Sequence, residues 1–355
     1  MAQYIDGLAQ ALGTLSDLHL FVPSHYEGSP GPFVLHRFQT GASHRAALRW
    51  MLNPWAGWQV WQRLLGVQPD VIHLINGDGL PWSVLWAAWA HRQGVAYGVT
   101  LHDPEAHPGS AFDAVQGCLG RLILPHVRWA HIHSARFGET IARRGVAPER
   151  IFVIPHGSLA PRFVQHARPG VARDDLALFF GRLVGYKGLD VLVEAGHLLD
   201  GSPRVALAGP GRLPRHLRQA IAASPATFEL HDRYLTDPEV ARLFQRAAVC
   251  VMPYRHATQS SVPLIAAAFG VPVVASAVGG LIEDVRRVNG LLVRPNDAAA
   301  LAFAIRSALG RTPHYPRELE FDTLARAFLS NWANWARWSA TAPDAAVSQM
   351  PSNRR

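Results

Sequence analysis

Two successive trains of short apolar runs, each run followed by an amphipathic helical stretch, limit this chain to α/β folds with parallel sheets. In the first train the runs at 18–22, 71–75, 95–101, 130–133 and 151–154 predict strands, and 41–65, 82–92 and 135–144 predict helices. In the second, strands are expected at 176–180, 205–208, 227–230, 249–252, 271–275 and 291–293. Helices are expected at 187–199, 214–223, 237–247, 262–269 and 297–309. Between the trains the chain turns rich in Pro, Arg and Ala and loses its periodicity. At 355 residues it is too long for one ordinary core. The expected division is therefore a domain over 1–160, a linker over 161–175, a domain over 176–312, a helix within 313–340 packing back, and a frayed tail over 341–355. Two such domains leave a cleft between them as the expected place of binding.

With 49% apolar and 17% charged residues, the composition carries no general signature of disorder. The one long uncharged stretch, 260–282, is interrupted by Pro263, Gly270, Pro272, Gly279 and Gly280. It reads as a short helix followed by a buried strand rather than a membrane span. Cys118 and Cys250 stand apart without ligand spacing, which offers neither a disulfide framework nor a metal site and suits a reducing cytoplasm. The net charge of +8 calls for a polyanionic partner, whether phosphorylated substrate, anionic membrane or nucleic acid. No nucleic-acid-binding motif accompanies the charge. Of the 34 basic residues only Lys187 is a lysine.

That lysine closes the segment Gly181-Arg182-Leu183 to Lys187-Gly188, directly after a predicted strand and opening a predicted helix. Open α/β sheets bind ligands at such strand ends. Arginine offers a planar fork and lysine a compact point charge, and together they can neutralise a diphosphate. Any helix start can carry exposed cations, but a lone lysine placed here favours function. A second cluster, Tyr254 to Pro263, has the same strand-to-helix position. Ser260 or Ser261 can cap the helix and Pro263 suits its first turn, so backbone amides there are expected to face an anion. Gly209-Pro210-Gly211 reads as a strand-to-helix turn, since no phosphate-binding glycine loop is present. No Asp-x-Asp pair occurs, so the expected chemistry is metal-independent and needs no cofactor.

These segments resemble the retaining glycosyltransferases of family 4, with the GT-B fold: two Rossmann-like doubly wound domains facing a cleft. The resemblance rests on Gly181-Arg182-Leu183 with Lys187-Gly188, Met252-Pro253-Tyr254, Gln259-Ser260-Ser261-Val262, the run 268–276, Gly279-Gly280 with Glu283, and Asn289-Gly290 with Asp297. It implies that Arg182 and Lys187 hold a donor diphosphate, with Gly181, Tyr234, Gln259, Ser260, Ser261, Val262 and Glu283 on the donor side. In the first half, Val99 to Pro104 is similar to the family's His-Asp segment, which places His102 and Asp103 near the donor sugar and the acceptor hydroxyl. Ile154-Pro155-His156-Gly157 also resembles the family, with His156 read as a turn residue at the hinge. The implied function is transfer of a sugar from a nucleotide sugar to a lipid-linked or oligosaccharide acceptor in surface-polysaccharide assembly.

The family's two glutamates are replaced here by Ala257 and Ile265, which also admits a noncatalytic subunit that scaffolds a partner transferase. Trp50, Trp55, Trp58 and Trp61 alternate with Arg45, Arg49 and Arg63. That pattern suits peripheral contact with an anionic membrane and equally a core face. Finally, Tyr4, Ile5, Leu8, Ala11 and Leu12 fall on one face of an opening helix. By the resemblance, the family's first strand is expected upstream of Met1.

Overall fold

The computed structural model describes residues 2–40, 49–50, 53–75, 81–102, 104, 121–224 and 227–339. The chain divides into two compact units, Met1–Pro155 with Phe321–Arg355, and His156–Glu320. Asp103, Arg45, Cys118 and the tail 341–355 lie outside the described residues.

The first unit opens on α1 (Ala2–Gly13), followed by the parallel pair β1 (His19–Pro23) and β2 (Val34–Phe38). Then come α2 (Pro54–Gly66), β3 (Val71–Ile75), α3 (Pro81–Gln93), β4 (Ala96–Leu101), β5 (Trp129–Ile132), α4 (Gly138–Ala142) and β6 (Ile151–Val153). Strands β3 to β6 form one parallel sheet in sequence order. β4 is buried at every position, as a strand covered on both faces must be. Of the helix expected over 41–65, α2 covers 54–66 and residues 49–50 are also helical, while 41–48 and 51–52 lie outside the described residues. Asn53 accepts from the Trp55 N–H and Pro54 takes the first turn, which together start α2. Trp61 is fully buried among Trp86, Tyr97 and Val99, whereas Trp55 is 64% exposed. The helix Phe321–Ser339 belongs to this unit, where its Phe321 ring packs edge-on against Tyr4 of α1 at 5.5 Å.

The second unit starts at His156, ahead of the stretch expected to be a linker (161–175), and takes that stretch in. There α5 (Ala160–Val164) buries Phe163. Arg162 pairs with Asp237 at 2.7 Å, and Arg173 donates to the carbonyls of Phe269 and Gly270, each at 2.9 Å. Two buried apolar residues, Ala160 and Phe163, and these polar contacts hold a segment that lacks helical periodicity. The unit continues with β7 (Leu176–Phe180), α6 (Leu189–Leu198), β8 (Arg204–Ala208), α7 (Arg215–Ala223), β9 (Phe228–His231), α8 (Asp237–Arg246) and β10 (Val249–Met252). It ends with α9 (Val262–Ala268), β11 (Val273–Ser276), α10 (Leu281–Arg287), β12 (Leu291–Val293) and α11 (Ala298–Ala308).

These six strands are parallel, in the order β12-β11-β10-β7-β8-β9. From β7 the chain winds outward to β8 and β9, then returns to β10 and winds the other way. The order therefore reverses between β7 and β10, and in an open sheet the crevice at that reversal, at the carboxyl ends of the strands, is where ligands bind. Cys250 lies at the centre of β10, fully buried, with its thiol pushed up to about 12 by desolvation.

Candidate functional site

The loops after β7 and β10 flank the reversal, and both carry residues singled out by the sequence. Gly181 follows β7 directly, and its N–H donates to the Ala208 carbonyl at 2.9 Å. Arg182 is exposed and donates to the Tyr186 hydroxyl at 3.3 Å. Lys187 does not open α6 as expected; it ends a 3-10 turn (Gly185–Lys187), and Gly188, at φ 65°, separates that turn from the helix. A side chain at 188 is doubly excluded, because a Cβ there would lie 1.9 Å from the Pro253 carbonyl oxygen. This close approach brings the turn onto the loop after β10. There the Lys187 ammonium sits 3.5 Å from the centroid of the buried Tyr254 ring and 5.4 Å from that of Tyr186.

Arg255, next to Tyr254, is committed to structure. Its guanidinium grips Asp190 of α6 at 2.8 and 2.6 Å, its Nε donates to Asn296 at 2.6 Å, and its backbone N–H donates to the Tyr186 carbonyl. The arginine holds the Asp190 carboxyl below the usual carboxylate range. So Arg255 anchors the two loops to each other, while Arg182 and Lys187 present charge.

The segment Gln259-Ser260-Ser261-Val262 leads into α9, but its amides are engaged more fully than expected. The Val262 N–H donates to the Ser260 hydroxyl at 3.3 Å, the Ser260 N–H donates to Asp284 at 2.9 Å, and Pro263 has none. Helix α9 also has only seven residues, so its dipole is slight.

Asp284 does not stand out in the sequence beside its neighbour Glu283. Its side chain is 12% exposed, its carboxyl is pushed up to about 7 by burial, and the Ser260 N–H and Arg287 partly offset the rise. Glu283 pairs with Arg287 at 3.6 Å. Both stand in the first turn of α10, a helix not expected from the periodicity; the Gly279-Gly280 turn before it is the available signal. A Cβ at Gly279, at φ 47°, would lie 1.8 Å from the Ala257 carbonyl oxygen, so this turn rests against the loop after β10. Ala257 and Ile265, in place of the family's glutamates, are buried. Tyr234, which follows the edge strand β9, is 83% exposed.

In the first unit, His102 follows β4 and is 1% exposed. Its Nδ1 lies 2.9 Å from His133 Nε2, and the Tyr4 ring packs edge-on against it at 4.7 Å. The sequence singles out His102 among 18 histidines but not His133, which follows β5 on the neighbouring strand.

Comparison with known proteins accords with this architecture. Residues 1–157 match the glycosyl transferase 4-like domain and residues 174–311 match glycosyl transferases group 1. A D-inositol 3-phosphate glycosyltransferase of Geodermatophilus obscurus is 37% identical over 190 residues, 47% of this chain and 42% of that protein. A 2-deoxystreptamine N-acetyl-D-glucosaminyltransferase of Streptomyces fradiae is 28% identical over 270 residues, 68% of this chain and 63% of that protein. The chain thus spans about half the length of the first curated relatives it matches. Among solved structures, sucrose-phosphate synthase from Thermosynechococcus elongatus superposes with a TM-score of 0.64 at 22% identity, over 95% of this chain and 91% of that one. Anabaena HepE in complex with UDP-glucose gives 0.63 at 18%, over 96% and 94%. The fold is GT-B, with two Rossmann-like units, and the chain belongs to the group 1 glycosyl transferases of the GT4 family.

Proposed function

We propose that this chain transfers a sugar, with retention of configuration, from a nucleotide-sugar donor to a lipid-linked or oligosaccharide acceptor in surface-polysaccharide assembly. The observation that carries the reading is the Lys187 ammonium, fixed over the Tyr254 ring beside Arg182 at the sheet's point of reversal. As the bond to the sugar breaks, negative charge grows on the departing diphosphate. Preorganised cations in a shielded site stabilise that charge without reorganisation, and such electrostatic stabilisation commonly contributes more to catalysis than any other single effect. Arg182 and Lys187 supply it in place of a metal ion, and His102 is assigned to the reacting sugar. The relatives' names support a glycosyl-transfer activity; donor, acceptor and pathway are part of the proposal.

A panel of radiolabelled nucleotide sugars, incubated with the protein and membrane extract, tests the reading. Transfer of label that Lys187→Ala abolishes is the expected result. A second reading, a noncatalytic scaffold, is favoured by the apolar residues at 257 and 265. Absence of nucleotide binding at millimolar concentration, together with tight binding of a partner transferase, establishes the scaffold instead.

A further inference from the structure

The first unit contains a buried chain of four histidines that the proposed reaction uses only at its end. His73 Nε2 lies 2.7 Å from the Thr100 hydroxyl, which lies 2.8 Å from His131 Nδ1. His131 Nε2 is 2.9 Å from the Ile154 carbonyl oxygen, and His133 Nδ1 is 3.1 Å from that same oxygen. His133 Nε2 then meets His102 Nδ1 at 2.9 Å. Thr100, His102, His131 and His133 are each at most 4% exposed.

One fixed acceptor settles where the protons are. A carbonyl oxygen cannot donate, so both imidazole nitrogens facing Ile154 carry hydrogen. A neutral imidazole has one N–H, so the other nitrogen of each ring accepts. Along one arm, His131 Nδ1 accepts from the Thr100 hydroxyl, and the Thr100 oxygen accepts from His73 Nε2–H. Burial of the whole chain opposes a charge on any member, and it holds His73 down at about 3. Along the other arm, His133 Nε2 accepts, and the donor it accepts from is His102 Nδ1–H.

We propose that His133 is a positioning residue that locks the proton of His102 on Nδ1 and leaves Nε2 as the bare nitrogen. The effect on transfer rests on the assignment of His102 to the reacting sugar; the proton lock does not. Aromatic packing keeps the rings in register: Tyr4 lies 4.7 Å from His102 and 5.4 Å from His133, and Phe328 lies 4.6 Å from His131. A histidine's second nitrogen commonly fixes the proton on the first in this way, and loss of such an outer partner costs on the order of 10–100-fold.

The test combines nitrogen NMR of the full chain, labelled with 15N-histidine, with steady-state kinetics. His102 is assigned by its disappearance in His102→Gln. The expected spectrum shows Nδ1 protonated and Nε2 bare in the wild type. In His133→Leu the proton redistributes between the two nitrogens, and kcat falls about 10–100-fold with the donor KM unchanged. In His133→Gln, whose amide oxygen replaces the accepting Nε2, the Nδ1–H form persists and most of kcat returns. A wild-type proton on Nε2, or an Nδ1–H form and full kcat surviving in folded His133→Leu, overturns the proposal. If His133→Leu fails to fold, the wild-type and His133→Gln spectra decide. Wild-type transfer by His102→Ala, with the wild-type spectrum as expected, removes His102 from the reaction while leaving the proton lock in place.

Discussion

In the second unit, Arg182 stands exposed and the Lys187 ammonium rests on an aromatic face, both fixed by glycine turns and by the Arg255–Asp190 clamp. In the first, the side chains that follow the equivalent strand ends of β4 and β5 are imidazoles buried in one hydrogen-bonded chain. Both sets terminate parallel strands, yet one presents cations and the other is sealed in a hydrogen-bonded chain. Rigidity comes from different sources as well. The cations are held by backbone contact between loops, the histidines by a shared acceptor carbonyl. Under the proposed function the two sets have separate tasks, one at the leaving group and the other at the sugar.

The largest effects should come from the charged set. Lys187→Ala and Arg182→Ala are each expected to cut turnover about 100- to 1000-fold, the scale of losing one preorganised charge contact, at wild-type melting temperature. Purified-enzyme kinetics beside calorimetry checks this, and normal turnover in both variants removes the diphosphate assignment.

Next in size is an opposition between the units in their response to pH. His73 is depressed to about 3 from an ordinary value of 6.5, so its contribution is fully present above 6.5 and is lost as pH falls toward 3. Asp284 is raised to about 7 from 3.8, so its contribution is fully present below 3.8 and is lost as pH rises through 7. Urea unfolding across this range should therefore lose an acid-side slope of a few kcal/mol in His73→Phe and a neutral-side slope in Asp284→Asn. Unchanged pH profiles in both variants erase the contrast.

Smaller still is the role of Tyr254. Replacing it with Leu removes the aromatic face under Lys187 and should raise the donor KM about tenfold, for a loss of about 1–2 kcal/mol. Tyr254→Phe keeps the face and should leave KM near wild type. Equal effects of the two substitutions, measured by donor titration, assign Tyr254 to packing alone.

The smallest expected effect concerns α2, where Trp55 and Trp58 are exposed on the helix that carries Arg63, while Trp61 is core. Vesicle co-sedimentation should favour anionic over neutral lipid, weaken with salt, and drop modestly in Trp55→Ala, at about 1 kcal/mol or less per group near the surface. Equal binding to both lipids, insensitive to salt, ends the expectation of peripheral membrane contact.

Strands are the most legible elements: β7 and β10, buried almost throughout, fall on the unbroken apolar runs that predict them, and the half-buried β3 and β12 also coincide with their runs. Segments held by few side chains are not legible. β2 has Val34 47% exposed and carries little apolar signal, and α5 depends on Phe163 finding a site that only the fold creates. Within the site, the solitary lysine marks Lys187, but nothing local shows that Gly188 ends a turn there and sets the ammonium on Tyr254. His133 and Asp284 escape for a shared reason. Each matters through a partner remote in sequence, His102 in one case and the Ser260 amide in the other.

Cys250 gives the second unit a built-in chemical clock. Its thiol is sealed in the central strand β10 and shifted to about 12, so a thiol-alkylating reagent has neither access nor thiolate while that sheet is intact. In a Cys118→Ser background, alkylation then proceeds only through molecules whose second sheet has opened. Its rate reads the opening of the donor-side unit alone, in the full-length chain, and a nucleotide sugar that binds there should slow the clock in proportion to its occupancy.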